Sequence, residues 1–190
     1  MSVSEQLSQP ISDEKQKRSS MSQDVSIWID NYEDIFSDFD PRNFSERNIS
    51  DDFLSEVKKV SRESDFAINE LKLLIPEKNR NHETENIIGK RLHVYFRKNY
   101  QKFLEKMKSY KSKGYLNVCG GTAMMILASY ISSLKSENFI MHIFLIILEP
   151  AGWFFVWAGL DNLFYYSSEQ RPELDFYSKI SKSKIIFHNI

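Results

Sequence analysis

The chain holds a single cysteine, Cys119. One thiol excludes an internal disulfide and any zinc cage built on thiolates. Glycine is absent from residues 24–52, the most acidic part of the chain. The acids there therefore cannot form a calcium loop of the kind that needs glycine at its sixth position. No GxSxG, P-loop or GxGxxG pattern occurs, and HETEN at 82–86 is not HExxH. The four histidines, His82, His93, His142 and His188, do not pair at metal-ligand spacing. The first 24 residues lack an apolar core, so they do not read as a signal peptide. Rich in Ser, Gln and charge, they are expected to form a disordered tail.

Charge is missing from two further places. Residues 114–134, GYLNVCGGTAMMILASYISSL, carry none in 21 positions. Residues 139–160, FIMHIFLIILEPAGWFFVWAGL, carry one acid, Glu149, in 22. A bilayer core needs about 20 apolar residues in helical form. Two such runs almost touching predict a transmembrane helical hairpin, although the whole chain has a mean hydropathy of -0.43. The alternative is a hairpin buried in a soluble core, which Asn117, Thr122 and Ser129 leave open. The Gly120–Gly121 pair suits close helix approach. Residues 97–113 hold seven basic residues and one acid, and the last fifteen residues hold three lysines and no acid. Positive charge at both outer ends places both termini in the cytoplasm. The basic segment 97–113 is expected to meet anionic lipid headgroups rather than nucleic acid.

The flanking parts show local periodicity. Val25, Ile27 and Ile29 alternate with Ser26 and Trp28, as in a strand, and Leu71, Leu73 and Ile75 repeat the pattern before Pro76. SDDFLSEVKKVSR, from Ser50, reads as a helix with Asp51 and Asp52 at its positive end. Ile88, Leu92, Phe96, Tyr100, Phe103 and Met107 mark a long helix leading toward the first apolar run, with Gly114 as a joint. Lys184–His188 is too short for a useful helix and reads as a third strand. A two-stranded sheet is marginal alone, so this strand is expected to return and complete it. The expected fold is α+β: a cytoplasmic three-stranded sheet with helices, and a membrane hairpin inserted before the last strand. The domains are then a tail at 1–24, the module at 25–113, the hairpin at 114–166 and a C-terminal segment at 167–190.

Two places could carry function. IDNYEDIFSDFDPR, residues 29–42, packs five carboxylates beside three aromatics. Asp34, Asp38, Asp40, Pro41 and Arg42 read as a structural clamp or a partner surface, with Asp38 and Asp40 fixing a turn and Pro41 stopping a helix. Ile35, Phe36 and Phe39 would anchor it. A metal-dependent enzyme using the Asp30–Asp40 cluster is the alternative. The second place is LEPAGWFFVWAGLD. Glu149 is an ionisable group inside a span, Pro150 kinks or breaks the helix, and Trp153 and Trp157 stand one turn apart. These four residues suggest either an oligomer contact or a channel built around Glu149. In another reading a new helix begins at Pro150.

IDNYEDIFSDFDPR, SDDFL, the basic helix, two spans with GWFFVWAGLD and a strand-like end together resemble a family of small bacterial two-span membrane proteins. The likeness runs from Val25 to Ile190, and DIFSDFDPR is its most specific part. AGLDNLFYY departs from the basic, proline-rich text that follows the second span in that family. The resemblance implies the architecture and a bacterial inner membrane; it implies no cofactor, substrate or catalytic residue. The expected role is a non-enzymatic, membrane-anchored interaction or assembly module, homo-oligomeric or bound to a protein partner.

Overall fold

A computed structural model describes residues 23–63, 67–134 and 138–189. The tail at 1–24 lies outside these residues except for Gln23 and Asp24, which belong to the first strand. The chain is α+β. Strand β1 (Gln23–Trp28) is followed by helix α1 (Asp51–Glu63), β2 (Ile68–Ile75), the long α2 (His82–Ser133), α3 (Phe139–Asp161), α4 (Arg171–Lys182) and β3 (Lys184–Asn189). It divides into two compact units: residues up to Tyr100 together with Asp175–Ile190, and Gln101–Leu174.

In the first unit β2 is central, and both β1 and β3 pair with it in parallel. Val25 aligns with Leu71 and Ile185; Ile27 aligns with Leu73 and Phe187. Strands β1 and β3 therefore share one sheet, as the topology predicts, each paired with β2. Parallel connections need a crossover, and α1 supplies the first. The second, between β2 and β3, contains α2, α3 and α4. The apolar hairpin is thus an insertion in a βαβ crossover.

Strand alternation decides which face is covered. Val25, Ile27, Leu71, Leu73 and Ile75 are buried, while Ser26 and Trp28 are exposed. Fully covered parallel strands read as continuous apolar runs. Here β2 places Glu70 and Lys72 on the second face, where Lys72 pairs with Asp24 at 2.7 Å. Phe53, Leu54 and Val57 of α1, Ile88, Leu92 and Phe96 of α2, and Phe176, Tyr177 and Ile180 of α4 are buried. Phe96 meets Phe176 edge-on at 6.2 Å, and Lys58 of α1 lies over both Phe176 and Tyr177. Three helices thus close on one aromatic cluster.

Helix α2 does not break at Gly114; it is continuous from His82 to Ser133. Helix α3 likewise runs through Pro150 from Phe139 to Asp161, so Pro150 neither ends a helix nor starts one. Segment 167–190 is mostly helical before β3 because α4 fills it. Pro172 sits in the first turn of α4, where a missing N–H leaves no intrahelical bond unmade.

In the second unit, α2 and α3 run antiparallel. A Cβ on Gly121 would lie 2.6 Å from the carbonyl oxygen of Gly152, and one on Gly159 would lie 2.8 Å from that of Gly114. Gly114, Gly121 and the buried Ala128 recur every seven residues, as do Gly152 and Gly159. A seven-residue repeat holds one seam between two supercoiled helices. Gly120 has nothing within 4 Å of its missing side chain, so one glycine of the pair serves the approach and the other does not.

Candidate functional site

The acidic block folds as a pinned loop. A 3₁₀ turn, Tyr32–Ile35, opens it, and a bridge between Phe36 and Ile49 closes its neck. Asp34 accepts the backbone N–H groups of Asp30 and Asn31, both at 2.9 Å. Asp40 is buried and accepts from Arg42 Nε and Nη2 at 2.9 and 2.7 Å, and from the N–H of Asn48 at 2.8 Å. Those donors, Arg42 first, hold the Asp40 carboxyl well below the usual carboxylate range. Arg47 pairs with Glu33, donates to the carbonyl of Ser37 and lies over the ring of Phe36. Arg91 of α2 donates to the Arg47 carbonyl at 3.1 Å, tying the loop to the helix.

The structure does not bring the predicted block residues to one centre. Asp34 and Asp40 serve different turns. Asp38 is exposed and makes no hydrogen bond among the described residues, so it fixes no turn. The helix ends at Ile35, before Pro41 can stop it. Ile35 and Phe36 are buried, but Phe39 is 98% exposed and anchors nothing. Pro41 and Arg42 line a shallow surface cleft with Phe44, Arg47 and Ile87. Among the described residues no three His, Cys, Asp or Glu side chains are placed to hold a metal.

A second polar cluster lies at the C-terminal ends of the strands, and sequence reasoning missed it. Arg80 grips Glu85 through two bonds of 2.8 and 2.9 Å. Tyr32 donates its hydroxyl to Glu85 Oε1 at 3.0 Å and accepts the N–H of Asn81 at 2.8 Å. Arg80 also reaches Oδ1 of Asn189, the last residue of β3, at 3.0 Å. Asn81 caps α2 by accepting the N–H groups of Glu83 and Thr84. Burial pushes the Tyr32 phenol up, and Arg80 holds the Glu85 carboxyl down. The one local signal was an arginine five residues before a glutamate at a helix start; Tyr32 lies 53 positions from Glu85 and no spacing rule joins them.

A depressed carboxyl contributes stability fully above its unfolded value of about 4.3, and loses it as pH falls through the folded value. Breaking a buried pair typically costs 3–5 kcal/mol, less where solvent reaches it. Glu85→Gln should therefore destabilise the first unit by about 2 kcal/mol at neutral pH. The gap to the parent should narrow as pH falls below the unfolded value and close as it passes through the depressed folded one. Denaturant titration of the full chain at a series of pH values measures both.

The hairpin residues form a different site. Glu149 and Trp153 of α3 line a cleft of about 490 Å³ with Met125, Ser129, Ser132 and Ser133 of α2. Pro150 and Trp157 are exposed, and neither lines this cleft. The three serine hydroxyls had no sequence signal pointing to Glu149, because their alignment depends on how two antiparallel helices register. No protein-family model, curated protein or solved structure matches the chain.

Proposed function

We propose that the chain is an integral membrane protein whose small α+β module is anchored at the cytoplasmic face by the α2–α3 hairpin. Its role is non-enzymatic interaction or assembly, with itself or a protein partner, in a bacterial inner membrane. The observation that supports this most is where the apolar side chains point. Two helices are long and apolar enough to cross a membrane, and only 11% and 6% of their most apolar windows are buried. Ile126, Ile140, Phe144, Ile147 and Phe154 are all exposed. A hairpin serving as a soluble core would bury them instead. Sheet topology agrees with an even number of crossings. Strands β1 and β3 flank the hairpin in sequence yet share β2, so they lie on one side of any membrane it crosses. Lysines of segment 97–113 supply charge for anionic headgroups at that side.

Alkaline carbonate washing of membranes is the test. The protein should stay in the pellet. Release into the supernatant would return the two helices to the interior of a soluble assembly.

A second reading, an oligomeric channel component using Glu149, draws on the hydroxyl-lined cleft beside that residue. Ion flux in liposomes that is abolished by Glu149→Gln would favour it over pure anchoring.

A further inference from the structure

The geometry points to a head-to-tail contact between copies of this chain, in which the turn carrying Phe39 of one copy seats in a lysine-rimmed groove of the next. The inference deepens the assembly reading above and rests on it, naming both surfaces and the partner.

The tip comes first. Asp38 and Phe39 are the central residues of a turn closed by the Asp40 N–H on the Ser37 carbonyl at 3.2 Å. Both ends of that turn are fixed. The Ser37 N–H donates to the Asn48 carbonyl at 2.9 Å, and the Asp40 carboxylate accepts from Arg42 and from the Asn48 N–H. Phe39 stands 98% exposed on this pinned turn. Scattered exposed apolar residues are ordinary on a surface. A large aromatic on a backbone held from both sides is different, because it is preorganised and loses little entropy on docking.

Its surroundings choose the partner. Residues 30–40 hold five acids and no base, and Asp38 makes no hydrogen bond or ion pair among the described residues. An anionic bilayer surface repels such a tip. An apolar floor with a basic rim complements it.

The same compact unit carries one. An open groove of about 730 Å³ lies between α2 and the start of β3. Val94 and the half-buried Ile185 form its floor, and a side chain on Gly89 would meet nothing within 4 Å at its first atom. Lys90, Lys182 and Lys184 are its exposed rim, and none of them is in an ion pair among the described residues. Glu85, the one acid in the lining, is already gripped by Arg80. The cleft beside the acidic loop fits the tip less well, because its arginines are taken, Arg42 by Asp40 and Arg47 by Glu33.

Tip and groove belong to different sides of α2. Arg91 holds the loop through the carbonyls of Glu46 and Arg47, and Gly89, two residues away, points about 200° round the helix from it. The contact therefore joins two copies, and repeating it closes a ring or extends a chain.

Photocrosslinking reads this contact directly. The full chain with benzoylphenylalanine at position 39 would be irradiated in proteoliposomes. It should give a dimer band, with the adduct in residues 85–94 or 182–185 of the second copy. Phe39→Ala should weaken self-association about thirtyfold, the effect of losing one anchor side chain, as read by energy transfer between labelled copies diluted in lipid. Gly89→Leu, which fills the notch, should weaken it comparably. Neither should lower the resistance of the first unit to denaturant, since Phe39 is exposed and Gly89 borders open space. Mixed together, the two variants should pair, because one keeps the groove and the other the tip, but build nothing beyond a dimer.

Association that either variant leaves unchanged overturns the inference. So does an associating chain whose position 39 crosslinks only to lipid, to a different protein or elsewhere on its own surface, although the assembly reading then stands. A chain that stays monomeric at every density, and whose position 39 captures no protein, overturns both.

Discussion

Deleting residues 184–190 should leave the first unit open to protease, although the hairpin separates this segment from most of that unit in sequence. Strand β3 aligns with β2 from Glu70↔Lys184 to Ile75↔Asn189, so its loss strips one whole side of the central strand. Each net hydrogen bond lost is about 1 kcal/mol, and the half-buried Ile185 and Phe187 contribute about 1 kcal/mol each. Arg80 loses its bond to Asn189, and Tyr32 loses its edge contact with the Phe187 ring at 5.9 Å. The sum is comparable to the whole stability of a small domain, about 5–15 kcal/mol, and a two-stranded remnant is marginal. Limited proteolysis of truncated and full chains in membranes measures it. Equal resistance of the two N-terminal regions would show that β3 is an appendage. Phe187→Ala, which keeps the backbone ladder, should give an intermediate loss of about 1–2 kcal/mol.

The strands were legible because their period is short and local. Val25/Ile27/Ile29 and Leu71/Leu73/Ile75 alternate over few residues, and Lys184–His188 has room for nothing else. That β3 must rejoin the sheet followed from the need to pair its backbone. Helix α4 was not legible: Pro172 and the polar SSEQ before it mask an apolar stripe of only Phe176, Tyr177 and Ile180. Phe39 misled in the opposite direction, since hydrophobicity alone does not say which aromatic of a loop turns inward. Gly114 read as a joint because glycine costs about 1 kcal/mol in a helix interior. Its lack of a side chain instead admits Leu163 and the Gly159 carbonyl. At the candidate sites the carboxylates were visible, but their partners were not. Arg80 for Glu85 was near in sequence without a motif, while Tyr32, and the serines that line one cleft with Glu149, are brought into place only by tertiary packing.

Adjacent glycines should answer oppositely to the same substitution. At Gly120 a methyl group meets nothing within 4 Å, so Gly120→Ala gains helix propensity of up to about 1 kcal/mol at no steric cost. At Gly121 the same methyl would sit 2.6 Å from the Gly152 oxygen and 2.7 Å from the Val156 nitrogen. Both are backbone atoms, which no rotamer change can move aside. The helices would have to separate, and overpacking of this kind costs about 1–3 kcal/mol. Gly121→Ala should therefore be destabilising on balance, and Gly121→Leu more so, by about 3 kcal/mol. Unfolding of the full chain in detergent, followed by the fluorescence of Trp153 and Trp157, gives the comparison; Trp28 can be replaced by Phe to isolate the hairpin signal. Equal stability of the two alanine variants would mean that α2 and α3 do not meet along the glycine seam.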